Sequence, residues 1–560
     1  MKKSLFLFVL LISAASLSYA QDPWKLVWRM TESPYLTLQN ITEMGMVKAG
    51  FDTDKDGWGE FICTWTDLDT NAILMYEATG DNTYKLVWSW VYPISANTYA
   101  GIAVGDINTN GVVDIVTTLP SVAGVDPNPP RVWVFEWNGV VGENRYGNYS
   151  GGAGKVSPSS YWNFALPDNY DFRPYSLTIE DIDNDASNEL IVGVRAAGNG
   201  SSREIYVVSL QGSFDLFPTW EVEWSYAHEF GGSLYNVTTG DLDSDGKKEI
   251  YAFIWNSFTM RIFECNGNKQ FTEAFALDEF TSAKGIDYGA LDAVRVADVN
   301  KDGVKEMYIA ATEPTNKIFI VTGISDVSKM TSADIKELYT IPVTSGGKFR
   351  SMYIADPDRD GKADLMIAGE ANGQIFSLEY KGSGNPADSS SWEHRIIYDV
   401  WKESGLTTIS PRLFYGCPAT DMDKDGKDEY VFVNYSPDYS VWTDDVPLRV
   451  IEIDRATSVG DAGVSVPKGS ILLPNYPNPF NPSTTIPYIL SSRSHVRLEV
   501  YNTLGQRVDV LIDGIQEAGQ HATTWRTTLP TGLYLAVLVS SDIEQPEQTI
   551  RLTRRMLLVR

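Results

Sequence analysis

Short apolar runs recur along most of this chain, separated by polar turns and without the spacing of an amphipathic helix. One set reads "EFICTW", "DIVTTL", "ELIVGV", "EIYAFI", "EMYIAA", "DLMIAG" and "EYVFVN". A strand-like run such as "SLTIE", "YNVTTG", "AVRVA" or "SMYIA" precedes a member of this set. A third run follows a turn ("AILMYEA", "RVWVFEW", "EIYVVSL", "RIFECNG", "KIFIVTG", "QIFSLEY", "LRVIEID"), and a fourth is rich in aromatics ("KLVWSWVYP", "YWNFALP", "WEVEWSYAH", "FTEAFAL", "IKELYTI", "WEHRIIYDV"). Four short strands per unit, repeated at a fixed period, are the pattern of a β-propeller blade.

The first and second runs of each unit are joined by an acidic loop. It occurs seven times: "DTDKDGWGE" from Asp52, "DINTNGVVD" from Asp106, "DIDNDASNE" from Asp181, "DLDSDGKKE" from Asp241, "DVNKDGVKE" from Asp298, "DPDRDGKAD" from Asp356 and "DMDKDGKDE" from Asp421. Seven loops predict seven blades, but only six fourth runs follow their own third run. The N-terminal "PWKLVWRMTES", Pro23–Ser33, resembles "YKLVWSWVYPI" and precedes the first loop. It is expected to supply the outermost strand of the last blade and so close the ring. The expected fold class is therefore all-β: a seven-bladed β-propeller over residues 21–455, then a linker over 456–471 and a small immunoglobulin-like β-sandwich over 472–560.

Each loop offers side-chain oxygens at positions 1, 3 and 5 and a carboxylate at position 9. The candidate metal ligands are Asp52, Asp54, Asp56 and Glu60; Asp106, Asn108, Asn110 and Asp114; Asp181, Asp183, Asp185 and Glu189; Asp241, Asp243, Asp245 and Glu249; Asp298, Asn300, Asp302 and Glu306; Asp356, Asp358, Asp360 and Asp364; and Asp421, Asp423, Asp425 and Glu429. Carboxylates this close repel one another unless a cation sits among them. Calcium accepts six to eight oxygens at flexible geometry, and a glycine at position 6 permits the sharp turn around it. An EF-hand would need its bidentate Glu at position 12, where these loops carry Cys63, Thr117, Val192, Ala252, Ile309, Ile367 and Phe432. The expected cofactor is calcium, up to seven ions, in a structural role.

These loops, set between the first two strands of each unit, resemble the FG-GAP or VCBS-type repeat of the integrin α-subunit propellers. The resemblance implies calcium on the face formed by those loops and ligands on the opposite face. Two copies depart from the pattern: Asn108 and Asn110 replace carboxylates, and Ala186 stands where Gly is expected, which lowers the charge of one loop and strains the other.

Composition narrows the function. The net charge is −28, and because Lys2 and Lys3 and a C-terminal stretch of eight Arg against seven acids are slightly positive, residues 21–470 carry −31. That makes the region a poor candidate for binding nucleic acid or an anionic membrane, and nucleic acid is not expected as a partner. The opening "MKKSLFLFVLLISAASLSYA", residues 1–20, reads as a secretory signal peptide, and no later stretch is long and apolar enough for a spanning helix. The three cysteines, Cys63, Cys265 and Cys417, read as buried apolar side chains. With only four histidines, His228, His394, His495 and His521, no Ser-His-Asp or zinc arrangement is predicted.

The segment from "LLPNYPNPFNPSTTIPYIL" through "VYNTLGQRV" and "LPTGLYLAVL" to the basic-apolar ending Arg554–Arg560 resembles the type A C-terminal sorting domain of type IX secretion cargo. The resemblance implies export by that machinery to the outer cell surface or the medium.

Loops between strands two and three face away from the acidic loops. There Trp65, Asp67 and Asp69 of the first unit and Tyr435, Tyr439, Trp442, Asp444 and Asp445 of the last are expected to share one sector, suited to a polysaccharide or protein ligand. The expected function is binding or adhesion at the cell surface; the alternative is a polysaccharide lyase or glycoside hydrolase on the same scaffold.

Overall fold

The computed structural model describes residues 24–31, 43–66, 71–94, 99–120, 130–150, 155–163, 171–197, 203–214, 218–228, 234, 236–254, 259–277, 291–311, 316–342, 349–369, 373–406, 408–409, 411–453, 471–472, 475, 478, 480–490, 492–516, 519–543 and 549–559. The chain divides into two compact units, Met1–Arg455 and Ala456–Arg560.

Among the described residues of the first unit are seven four-stranded antiparallel sheets. Sheet I holds Glu43–Phe51, Glu60–Thr66, Asn71–Gly80 and Thr83–Val91; sheet II, Ile102–Gly105, Asp114–Thr118, Val132–Glu136 and Ser160–Trp162; sheet III, Asp171–Glu180, Glu189–Ala197, Arg203–Gln211 and Thr219–His228; and sheet IV, Asn236–Gly240, Glu249–Ile254, Thr259–Cys265 and Phe271–Leu277. Sheet V holds Leu291–Ala297, Glu306–Ala311, Lys317–Val321 and Lys336–Thr340; sheet VI, Phe349–Ala355, Asp364–Gly369, Gln374–Tyr380 and Trp392–Asp399. Sheet VII joins Gly416–Ala419, Glu429–Val433 and Leu448–Ile453 to Trp24–Arg29 from the N-terminal end. That last strand runs antiparallel to the third, with Trp24 opposite Ile453 and Arg29 opposite Arg449. The first strands of the seven sheets touch in the closed order I, II, III, IV, V, VI, VII and back to I, which is the propeller arrangement.

The second strand of sheets I, II, IV, V, VI and VII is buried along its whole length, because both of its faces are covered by neighbouring sheets. This is why those runs lack alternation in the sequence. Outer strands do alternate, as in Thr219–His228, with one face in water. Hydroxyls tie neighbouring inner strands together. Ser176 Oγ accepts from Val237 N at 2.9 Å and donates to Val237 O at 3.3 Å, and Ser351 Oγ does the same with Gly416 N at 3.0 Å and Gly416 O at 3.2 Å. Cys63, Cys265 and Cys417 are buried free thiols. Two features without a counterpart in the sequence pattern are a hairpin, Asn148–Ser150 with Lys155–Ser157, and a short helix, Val400–Ser404.

The second unit packs a three-stranded sheet (Ile471–Leu472, Ser483–Leu490, Gly519–Arg526) on a four-stranded one (Arg507–Gln516, Ser494–Asn502, Gly532–Asp542, Thr549–Leu558). Side chains from both sheets, among them Ile486, Tyr488, Trp525, Val496, Leu498 and Leu538, fill the core between them.

Candidate metal centres

The seven acidic loops share one backbone path. Gly57, Gly111, Gly246, Gly303, Gly361 and Gly426 at position 6 all have φ between 84° and 92°, and Ala186 is forced to 73°. Position 4 is also left-handed in every loop, at Lys55, Thr109, Asn184, Ser244, Lys301, Arg359 and Lys424, with φ from 54° to 67°. Two left-handed residues bracketing position 5 curl the chain so that side chains at 1, 3 and 5 converge. The position 5 side chain then accepts the position 7 N–H, as in Asp56 from Trp58 (2.7 Å), Asp185 from Ser187 (2.7 Å), Asp245 from Lys247 (2.8 Å) and Asp425 from Lys427 (2.9 Å).

The position 9 carboxylate enters from the start of the second strand. One of its oxygens accepts the position 2 N–H: Glu60 from Thr53 at 2.8 Å, Asp114 from Ile107 at 3.0 Å, Glu189 from Ile182 at 3.0 Å, Glu249 from Leu242 at 2.9 Å, Glu306 from Val299 at 3.3 Å and Glu429 from Met422 at 2.9 Å. In sheet VI position 2 is Pro357, which has no N–H, and Asp364 takes the Ser377 hydroxyl instead. The other oxygen is buried without a hydrogen-bond partner at Glu60 Oε1, Asp114 Oδ1, Glu249 Oε1 and Glu429 Oε1; so are Asp241 Oδ1, Asp356 Oδ1 and Asp421 Oδ1 at position 1. Burial, with neighbouring carboxylates adding to it, pushes Glu60 and Glu429 up to about 9 and Glu249 up to about 7. Converging, buried, unsatisfied oxygens are what a divalent cation would satisfy.

Single ligand oxygens of Asp241, Asp243, Asp245 and Glu249 lie within 4.8 Å of one another, as do those of Asp421, Asp423, Asp425 and Glu429, and those of Asp52, Asp54 and Glu60. These donor sets fit calcium: all oxygen, mostly charged, with no nitrogen or sulfur ligand. Where Asn108 and Asn110 replace carboxylates, Asn110 Nδ2 turns outward to Glu136.

Position 3 has a second role that the sequence does not disclose. Its other oxygen is held by the turn between strands three and four of the next sheet. Asp183 Oδ2 accepts from Lys269 N at 3.0 Å, Asp243 Oδ2 from Val327 N at 2.9 Å, and Asp423 Oδ2 from Asn82 N at 2.6 Å, the last across the junction of sheets VII and I. At Asp54 the partner is Asn144 Nδ2 at 3.0 Å, from the insertion between strands three and four of sheet II, which also sends Gly142 N to Asp54 O at 3.1 Å. The loops therefore brace neighbouring sheets as well as folding on themselves.

The expected ligand sector is not a free surface. Trp65 and Tyr435 are buried in the core of sheet I and its neighbours, and Trp442 in that between sheets VI and VII. Tyr435 stacks on Phe414 with centroids 4.3 Å apart. Asp445 is buried against Arg449, 3.1 Å away, and accepts from Asn434 Nδ2 at 3.0 Å and Asp438 N at 3.0 Å. Tyr439 is half-buried and Asp444 exposed, while Asp67 and Asp69 lie outside the described residues. The aromatics pack inward because each can cover an inner strand end, and Arg449, fully buried over the Trp442 ring at 5.1 Å, neutralises Asp445. His228 and His394 lie on the outer strands of sheets III and VI.

Residues 52–117 match the family model described as FG-GAP-like repeat. Cartilage acidic protein 1 of Homo sapiens is 24% identical over 295 residues, a match spanning 49% of this chain and 42% of that protein. Among solved structures, the rhamnogalacturonan lyase YesW covers 77% of this chain and 76% of its own at 13% identity and a TM-score of 0.39. The Bacillus licheniformis rhamnogalacturonan lyase PL11 covers 73% and 71% at 12% identity and a TM-score of 0.35. At these scores the likeness to the lyases bears on neither the fold nor the activity of this chain.

Proposed function

We propose that the first unit is a seven-bladed, calcium-stabilised propeller that acts as a binding or adhesion module outside the cell, for a polysaccharide or a surface protein. The observation that carries the reading is the set of buried, partnerless carboxylate oxygens converging in the loops, at Glu60, Asp114, Glu249 and Glu429 above all. Calcium would be held there by the side chains at positions 1, 3, 5 and 9, and would neutralise groups that otherwise repel. Position 3 also ties each of four loops to the next sheet, so ligation would stiffen the ring as a whole. A stiffened ring suits a recognition scaffold, whose loops must hold their shape before a ligand arrives. The second unit, compact by itself and carrying the "NYPNPFNP" and "LPTGLYLAVL" segments, is proposed as a type IX sorting signal.

A glycan array probed in millimolar calcium, with product analysis on every hit, tests the central claim. A bound and intact glycan, or a bound surface protein, is the expected result. Depolymerised product would replace the binding reading with the enzymatic one. For the export reading, removing residues 472–560 should leave the protein in the periplasm; normal secretion of that truncation would refute it.

A further inference from the structure

In five sheets the third strand carries a glutamate directly opposite position 9 of the acidic loop. Glu77 faces Glu60, Glu136 faces Asp114, Glu264 faces Glu249, Glu379 faces Asp364 and Glu452 faces Glu429. Like charges facing one another across a strand pair are destabilising, and a cation beside them relieves the repulsion. Sheets IV, VI and VII supply that cation from position 7 of the loop. Lys247 Nζ lies 3.1 Å from Asp245 and 2.6 Å from Glu264, Lys362 Nζ contacts Asp360 and lies 3.6 Å from Glu379, and Lys427 Nζ lies 2.6 Å from Asp425 and also bonds to Glu452. An ammonium thus sits between the position 5 carboxylate and the third-strand glutamate in all three. In sheet II position 5 is Asn110, whose amide donates to Glu136.

Sheet I keeps the carboxylates and lacks the cation. Its position 7 is Trp58, and Lys424 lies over that ring, 4.1 Å from the centroid. Among the described residues, no Lys or Arg forms an ion pair with Asp52, Asp54, Asp56, Glu60 or Glu77; Lys85, opposite Glu77 on the fourth strand, is exposed. Burial, and after it the charges of Asp54, Asp56 and Asp52, hold the Glu77 carboxyl above its usual range, and only the uncharged Asn144 amide acts against them. Ligand oxygens here form two groups, each within 4.8 Å: Asp52, Asp54 and Glu60, and Asp54, Asp56 and Glu77. Asp54 and Glu60 are fully buried, Glu77 is 9% exposed, and Glu60 Oε1 has no hydrogen-bond partner. Asn144 Nδ2, from the insertion of sheet II, donates to Asp54 at 3.0 Å and to Glu77. A neutral amide leaves their charge in place, and turned end for end it presents an oxygen to the same point. With one divalent ion these five carboxylates keep a net charge of −3, and with two, −1.

We infer that the loop of sheet I binds two calcium ions rather than one: an inner ion held by Asp52, Asp54 and Glu60, and an outer ion held by Asp54, Asp56 and Glu77. The outer ion takes the place that a lysine ammonium fills in sheets IV, VI and VII, and Asp54 bridges the pair. Asp56 is exposed, so water completes the six to eight oxygens around the outer ion. The inference rests on the calcium reading of the loops and adds a site to it.

Equilibrium dialysis of the full chain against calcium, counting ions bound per chain at saturation, tests this. Glu77→Gln should lower the count by one. Trp58→Lys, which supplies the ammonium that the other sheets carry, should also lower it by one. Glu264→Gln, at a place that Lys247 already fills, should leave it unchanged. The melting temperature of each variant in excess calcium checks that the ring is intact. A count unchanged in both Glu77→Gln and Trp58→Lys would overturn the outer ion and leave the calcium reading standing. Equal losses in Glu77→Gln and Glu264→Gln would make the third-strand glutamate an ordinary ligand of a single loop ion, and would overturn it too. A wild-type chain that binds no calcium would overturn the outer ion together with the calcium reading.

Discussion

Two regions of the first unit bury carboxylates and treat them in opposite ways. In the acidic loops, three or four oxygen-bearing side chains converge and several buried oxygens have no hydrogen-bond partner among the described residues. In the segment from Asn434 to Pro447, Asp445 is equally buried, yet Arg449, Asn434 and the Asp438 N–H account for both of its oxygens. One region offsets part of its charge with rim lysines, Lys305 on Asp241, Lys247 on Asp245 and Lys427 on Asp425, and leaves its buried oxygens open to a cation; the other encodes its counter-charge in full. Stability should therefore depend on solution conditions in the first and be indifferent to them in the second.

The largest test is calcium removal. At ten times a dissociation constant, each occupied site adds about 1.4 kcal/mol. Over several loops a chelator should therefore remove about 5–10 kcal/mol and lower the melting temperature by about 10 °C. Calorimetry with and without EGTA measures this, and an unchanged melting temperature would end the metal reading. Next in size is Arg449→Met, which takes the counter-charge from buried Asp445 and from Glu403 and leaves Asp445 only its neutral donors, Asn434 and the Asp438 N–H, at a cost of about 3 kcal/mol. That loss should be the same with and without calcium; a calcium-dependent loss would erase the contrast between the two regions.

A third test uses pH. Glu60 and Glu429 are raised to about 9 in the ion-free loops, far above their unfolded value. For carboxyls raised in this way, stability is fully present below about pH 4.5 and is lost as pH rises through the folded values. In chelator, urea midpoints should therefore fall from about pH 4.5 to about pH 9, while in excess calcium that fall should vanish. The smallest test is Ala186→Gly. Ala186 sits at φ 73°, where a Cβ costs about 1 kcal/mol, so the glycine variant should gain about that much.

The loops were legible because their chemistry is local. Alternating acids, the glycine at position 6 and the carboxylate at position 9 all lie within nine residues, and their repetition marks four strands per sheet. What position 3 does with its second oxygen was not legible, since Lys269 N and Val327 N come from the next sheet and are backbone donors with no sequence signature. Left-handed backbone at position 4 was equally hidden, because Lys55, Thr109 and Arg359 have nothing in common as side chains. Tyr435, Trp442 and Asp445 were misplaced for a related reason. An aromatic and acidic loop reads alike whether it faces water or folds over a strand end, and only Arg449, a strand residue, decides which.

The pairing of Trp24 with Ile453 also sets a clock. At roughly 5–20 residues per second, the ribosome needs about 20–90 s to add the strand that completes sheet VII after the strand that will edge it has emerged. Sheets I to VI are each built from contiguous chain and can form as they appear, but the ring has no way to shut until its last inner strands are made. For that interval the chain is an open arc with an exposed strand edge at each end, and such edges are aggregation-prone. A chaperone that holds nascent chains would have most to do here, and a chain stopped short of residue 453 should be found unfolded or aggregated rather than as a smaller ring.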